Sequence, residues 1–310
     1  MADQLKIKSF EDIKVSTKTF TAQTNMVIDL QKLFDAVPVE PFVIVPKKRG
    51  RKKKIDTPDP NKDIPRGSVI TLQYEKNIKG VNLKKKKKDS EAKWFRNSLT
   101  VVIVLDKHIN FKVYKNGTFQ MTGCMNKKHA EMCVTSIWSH IKDMQNDVYE
   151  FSRGDDLEFL IIPAMRNIDF DLGFCVDREK LAHFMSTQTD FHCLLETSFG
   201  YTGVNIKIPL EYDIMNMMVK KVHGSGKTEM VPYTEYLSVL PQKDRNAKIK
   251  KDRHNTFLVF HSGKTILSGL KKATTRKPYY DFLEIVKKKR DLIEERLDPV
   301  VPLRQSLSES

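Results

Sequence analysis

The 310-residue sequence is 40% hydrophobic and 30% charged, enough apolar content for about two units of ordinary size and too much for a chain disordered throughout. A formal net charge of +15 and a pI near 9.5 favour polyanionic partners, nucleic acid first among them. No apolar stretch approaches the roughly 20 residues of a spanning helix and the opening MADQLKIKSFEDIK has no secretory pattern, which predicts a soluble intracellular protein, not secreted and not in a membrane.

In chain order, the first signal is DLQKL (Asp29 to Leu33), where an aspartate opens a helix as an N-cap or first-turn acid should. A basic, proline-broken insertion follows from Pro46 to about Arg66, holding PKKRGRKKK and TPDPN. KGVNLK (Lys79 to Lys84) reads as a strand and runs into the lysines Lys84 to Lys88, a solvated loop, a phosphate-binding arm or a targeting signal. The apolar run VVIVL then leads to YKNGTFQMTG (Tyr114 to Gly123), whose Asn116-Gly117 pair is a strong hairpin signal. A long helix is expected from Lys127 to about Met144, with Ala130, Cys133, Val134, Ile137, Trp138 and Ile141 on one face.

The same signals return in the same order. DREKL (Asp177 to Leu181) pairs with DLQKL, TGVNIK (Thr202 to Lys207) with KGVNLK, and FHSGKTILSG (Phe260 to Gly269) with YKNGTFQMTG. A helix from Thr274 to about Arg296 closes the second copy and carries KKKR at Lys287 to Arg290. Between Pro209 and about His254 lies a second insertion, expected as a surface excursion with a little helix at MNMM or EYLSVL. The expected division is therefore residues 1–150 for the first repeat and 151–310 for the second. Each reads strand, short helix, strand, strand, hairpin, strand, long helix.

Other motifs carry less. GSGKT (Gly224 to Thr228) lacks the leading glycine of a phosphate-binding loop, because Lys221 stands there. The four cysteines Cys124, Cys133, Cys175 and Cys193 are far apart and read as buried thiols in a reducing compartment. His183, His192 and Cys193 fit no common zinc spacing. No catalytic constellation stands out, so neither an enzyme, a cofactor, a metal nor a small-molecule substrate is expected.

Taken together, the repeats and above all LVFHSGKTILSG (Leu258 to Gly269) resemble the TATA-binding protein family. Lysine-rich insertions make the sequence more like versions carried by large DNA viruses. The resemblance implies an α+β fold, a saddle of two pseudo-symmetric repeats forming a curved antiparallel sheet with helices on the convex face. It also implies a function: a general transcription initiation factor that binds A/T-rich promoter double-stranded DNA in the minor groove. Initiation factors or RNA polymerase would be met on the helical back, in a nucleus, viral factory or virion. Kinking of the minor groove by this family is itself a standard illustration of wedge insertion, so no bend is inferred.

Residue by residue, the resemblance places wedges at Ile78, Tyr114, Tyr201 and Phe260, of which Phe260 alone keeps the family's phenylalanine. The central asparagine pair falls at Asn167 and Thr19, hydroxyls near base edges at Thr122 and Ser268, and phosphate contacts at Lys84, Lys207 and Lys264. Gln120 replaces an apolar residue that Ile266 retains, so an altered base preference is open. Two other readings remain: a basic architectural DNA- or RNA-binding protein with this fold and no sequence choice, and an enzyme using the fold to grip DNA, for which little chain is left.

Overall fold

The computed structural model describes residues 8–45, 60–83, 97–196 and 203–295. Its elements run β1 (Val15–Thr24), β2 (Met26–Ile28), α1 (Leu30–Ala36), β3 (Val69–Tyr74), β4 (Asn77–Gly80), β5 (Ser98–Val104), β6 (His108–Tyr114), β7 (Thr118–Cys124) and α2 (Lys127–Ile141). They continue with β8 (Tyr149–Phe151), β9 (Glu158–Asp171), α3 (Arg178–Gln188), β10 (His192–Glu196) and β11 (Gly203–Pro209). Last come β12 (Met218–His223), β13 (Thr228–Pro232), α4 (Tyr233–Ser238), α5 (Gln242–Lys250), β14 (His254–Phe260), β15 (Lys264–Gly269), α6 (Lys272–Lys288) and α7 (Arg290–Ile293). Strand pairing is antiparallel and helices pack on the sheets, so the fold is α+β as expected.

The chain forms two compact units, which do not divide at residue 150: the first is Val15–Asn167 with Glu211–Asp252, the second Met1–Lys14, Ile168–Leu210 and Arg253–Ser310. In the first unit the strands lie in the order β1-β7-β6-β5-β3-β4. Alternation decides their faces. Phe20, Ala22, Phe111, Val113, Phe119 and Met121 are buried toward α2, whose Ala130, Cys133, Val134, Ile137 and Ile141 form the matching helical stripe. Fully burying each large side chain is worth about 1.5–3 kcal/mol. The opposite, reverse face carries Thr21, Gln23, Asn110, Lys112, Tyr114 and Gln120.

The second unit orders its strands β10-β11-β14-β15-β9, with α6 packed on β14 and β15. Phe257 stacks on Phe282 with ring centroids 4.2 Å apart, and Phe170 meets Tyr279 edge-on at 5.0 Å. Burial pushes the Tyr279 phenol up to about 12, and its hydroxyl donates to Lys8 O at 2.7 Å. The N-terminal segment is held to α6 there. Phe10 N donates to Tyr280 Oη at 3.2 Å, and Glu11 pairs with Lys272 and Arg276.

Both hairpins turn on the glycines that the sequence marked. Gly117 has φ +71 and Gly263 φ +80, and a Cβ there would stand 2.2 Å from Met26 O and 2.3 Å from Phe174 O. Backbone packs against backbone at these two points, so a side chain is excluded as well as the positive φ disfavoured. Both helix-opening aspartates also cap as expected: Asp29 accepts from Gln31 N and Lys32 N, and Asp177 from Lys180 N.

Other expectations need correction. Residues 211–252 are no surface excursion: β12 pairs with β9 through Lys220↔Ile161 and Val222↔Phe159, and β13 pairs with β12. Four consecutive residues of β9, Phe159 to Ile162, are buried, which a strand achieves only with both faces covered. Phe159 and Ile161 join the main core, while Leu160 and Ile162 are buried on the reverse side, where Val219, Val231, Tyr233, Tyr236, Leu237 and Leu240 are also buried. GSGKT is the turn between β12 and β13, its Thr228 opening β13. Cys175 is exposed rather than buried, Cys193 is half-buried, and only Cys124 and Cys133 are core thiols, set against each other.

Candidate nucleic-acid interface

On the second unit, the reverse face is built from alternate residues of β11, β14 and β15. Asn205 pairs with Leu258, and Leu258 with Ile266; one register step on, Lys207 pairs with Thr256 and Thr256 with Ser268. Leu258, Phe260, Ile266, Asn205 and Ser268 are all partly exposed there, while Lys264 is exposed. The face is thus an apolar centre with one amide, two hydroxyls and lysines around it. Asn205 Oδ1 is buried with no hydrogen-bond partner among the described residues, an arrangement that leaves an acceptor free for an incoming group. Beside Phe260 lies a cleft of about 610 Å³, lined by Ile266, Lys264, Ser262, Lys8 and the carboxylates of Asp169 and Asp171.

The first unit presents a different reverse face at the matching hairpin. Tyr114 Oη donates to Gln120 Oε1 at 3.0 Å, Thr118 Oγ1 to Gln23 Oε1 at 2.8 Å, and Gln23 Nε2 to Asn116 O at 2.8 Å. Thr122 Oγ1 donates to Asn110 O at 3.3 Å. Amides and hydroxyls here bond one another. A cleft of about 400 Å³ lies between these residues and the insertion, whose Tyr236, Leu240, Asp244, Ala247 and Lys248 form the other wall. Asp244, Ala247 and Lys248 share one side of α5, as spacings of three and four dictate.

The remaining expected residues fall as follows. Thr19 and Asn167 are both in the first unit, and Thr19 Oγ1 and Asn167 Oδ1 are buried without a partner among the described residues, while the Asn167 carbonyl accepts from Ser16 Oγ at 3.2 Å. Ile78 is 41% exposed, on the edge strand β4 opposite Gln73. This corrects the pairing of KGVNLK with TGVNIK. Gly203 faces Phe260 in the register, and the residue that faces Tyr114 is Ser98, on β5. Ile78 therefore has no claim to the position two residues before that strand. Tyr201 and Lys84 lie outside the described residues, as do Lys47 to Lys54 and Lys84 to Lys88.

Sequence reasoning missed Asn205, Leu258, Gln23, the acids Asp169 and Asp171, and the whole insertion wall. Asn205 was within reach, since it is the asparagine of TGVNIK and alternation puts it on the face of Lys207. Asp169 and Asp171 alternate with the buried Ile168 and Phe170 and were equally legible. The wall was not, because which surface an insertion covers is a tertiary fact.

No protein-family model matches the chain. Its sequence is 29% identical over 218 residues to the uncharacterized protein 335L of Invertebrate iridescent virus 6, covering 65% of this chain and 64% of that protein. It is 27% identical over 227 residues to a TATA-box-binding protein-like protein of Acanthamoeba polyphaga mimivirus, covering 65% of this chain and 56% of that one. The chain spans less than two thirds of the length of either relative. Among solved structures, Methanococcus jannaschii TBP aligns over 89% of this chain and 98% of its own, with 12% identity and a TM-score of 0.37. The resemblance drawn from the hairpins thus has a counterpart in a TATA-box-binding protein-like sequence, and both relatives are viral.

Proposed function

We propose that this divergent relative of TATA-box-binding protein-like proteins is a non-enzymatic transcription initiation factor that binds A/T-rich promoter DNA in the minor groove. The observation that carries the reading is the reverse face of the second unit. Phe260, Leu258 and Ile266 offer apolar contact and a wedge, Asn205, Thr256 and Ser268 offer short hydrogen-bonding groups, and Lys207 and Lys264 offer phosphate contacts. A minor groove with a degenerate acceptor pattern is read by that combination, through shape and apolar insertion rather than a base code. In this reading initiation factors or polymerase dock on the helical side, no membrane is involved, and the protein works in a nucleus, viral factory or virion. Among the described residues no helix is long and apolar enough to cross a membrane.

Duplication of one unit is part of the same proposal. It is supported by backbone hydrogen bonds that recur in one order. Thr24 N donates to Gly117 O and Leu172 N to Gly263 O, each at 3.0 Å. Ile28 N donates to Lys115 O at 2.8 Å and Val176 N to His261 O at 2.7 Å. Asp29 N donates to Val148 O at 2.9 Å and Asp177 N to Ile293 O at 2.8 Å.

Gel shifts on A/T-rich and G/C-rich duplexes across a salt series test the function. Tighter binding of the A/T-rich duplex at matched salt is expected. Equal affinities that collapse alike with salt would instead select the basic architectural protein.

A further inference from the structure

We propose that the reverse face of the second unit reads a guanine: Asp169 and Asp171, beside Phe260, accept from the exocyclic amine of a G·C pair within an otherwise A/T-rich site. This rests on the minor-groove reading above and gives it one base-specific position, served by the second unit alone.

The reason lies in donors and acceptors. In the minor groove A·T and T·A show only acceptors, adenine N3 and thymine O2, whereas G·C adds one donor, the guanine N2 amine. An ionised carboxylate only accepts. Against an A·T pair it sets lone pair on lone pair, and it repels the neighbouring phosphates as well. Against guanine it meets the one base donor that this groove offers. Asp169 and Asp171 are both exposed, and both line the cleft of about 610 Å³ that also holds Phe260 and Ile266. Alternation along β9 turns them away from the buried Ile168 and Phe170. Asp171 is already oriented, since its Oδ1 accepts from Gly173 N at 2.9 Å. A carboxylate has about four acceptor sites, so that bond leaves room for another donor. Lys8 and Lys264 in the same cleft offset the repulsion of phosphate.

The fold itself does not ask for these acids. Counting back from Leu172, which matches Thr24 in the recurring backbone bonds, sets Asp171 against Gln23 and Asp169 against Thr21. The first unit thus builds the same strand and turn with a hydroxyl and an amide, groups that donate as well as accept. Asn205 points the same way as the acids. Its buried Oδ1, on β11 beyond Leu258 and Ile266, is a further acceptor with no donor among the described residues.

The test uses A/T-rich duplexes in which one A·T pair at a time becomes G·C, inosine·C or 2-aminoadenine·T, each titrated with the full chain at one salt concentration. Inosine lacks the N2 amine of guanine, and 2-aminoadenine adds it to an A·T pair, so that group alone distinguishes the four in the minor groove. At one position G·C and 2-aminoadenine·T are expected to bind about fivefold or more tighter than A·T and inosine·C. Two double variants are compared with wild type: Asp169→Ala with Asp171→Ala, and Asp169→Thr with Asp171→Gln, which carries the residues of the first unit. Both are expected to lose the difference and to keep A/T-rich binding. A difference that survives in either variant, or no position at which the amine matters, would overturn the inference and leave the function standing. Variants that bind every duplex more tightly by one factor would overturn it too, by making the acids mere repellers of phosphate. A wild-type chain that binds no duplex would overturn the function, and the inference with it.

Discussion

The two reverse faces start from the same hairpin and end with opposite chemistry. Where the second unit has Phe260 and Ile266, the first has Tyr114 and Gln120, and where the second has Lys264 the first has Thr118. In the first unit polar groups bond one another beside the insertion, with Gln120 exposed; in the second, apolar groups are partly exposed beside lysines. A surface that has found an intramolecular partner gains by turning polar and self-satisfied, since every buried donor then needs an acceptor. A surface kept for an external partner retains apolar area at some cost in solubility.

Two isoleucines sharpen that contrast most strongly. Ile162 sits on the reverse side of β9 yet is only 6% exposed, whereas Ile266 on the reverse side of β15 is half-buried. Ile162→Ala is expected to cost about 2–5 kcal/mol, the range for emptying a packed site. Ile266→Ala should cost less, about 1–2 kcal/mol, since part of its side chain stays in water after folding. Chemical denaturation of both variants checks this. Equal costs would mean that the insertion does not cover its face.

How much of this was legible follows from the range of each interaction. The hairpin glycines, the Asp29 and Asp177 caps and the stripe of α2 depend on residues a few positions apart, and local pattern carries them. KGVNLK failed because its five-residue likeness to TGVNIK says nothing of strand order. Ladder register put Ser98, a small residue with no glycine signal, where Gly203 stands. The FLII run of β9 is the composition of a strand covered on both faces, a signal the sequence reading passed over. Its cover comes from residues some sixty positions later, a distance that propensity and periodicity do not reach.

A smaller effect separates the lysines from the aromatics on the open face. Lys264 is exposed and offers a phosphate contact without base information. Lys264→Ala is expected to lower affinity equally for A/T-rich and G/C-rich duplexes and to reduce the slope of log K against log salt by about 1. Thr118→Lys, which gives the first hairpin the same charge, should raise that slope by about 1 if phosphate reaches this face too, and an unchanged slope would confine the phosphate contact to the second hairpin.

The smallest expected effect concerns the helix caps, where the two units are alike and the comparison should vanish. Asp177 is held below the usual carboxylate range, chiefly because its side chain accepts from Lys180 N, with the Lys180 ammonium at 3.2 Å adding to it. A depressed folded value means that the ionised form is favoured by folding. Its contribution is therefore complete above the unfolded value of about 4 and is lost as pH falls through the folded one. Asp177→Ala is expected to cost about 1 kcal/mol at neutral pH, with the gap to wild type narrowing below about pH 4. Asp177→Asn, which still caps but carries no charge, should lie between the two at neutral pH. Thermal melts of the three chains at pH 7 and pH 3 measure both parts. A gap that stays constant across this range would assign the cap to hydrogen-bond geometry alone, with no part played by the carboxylate charge at the helix N-terminus.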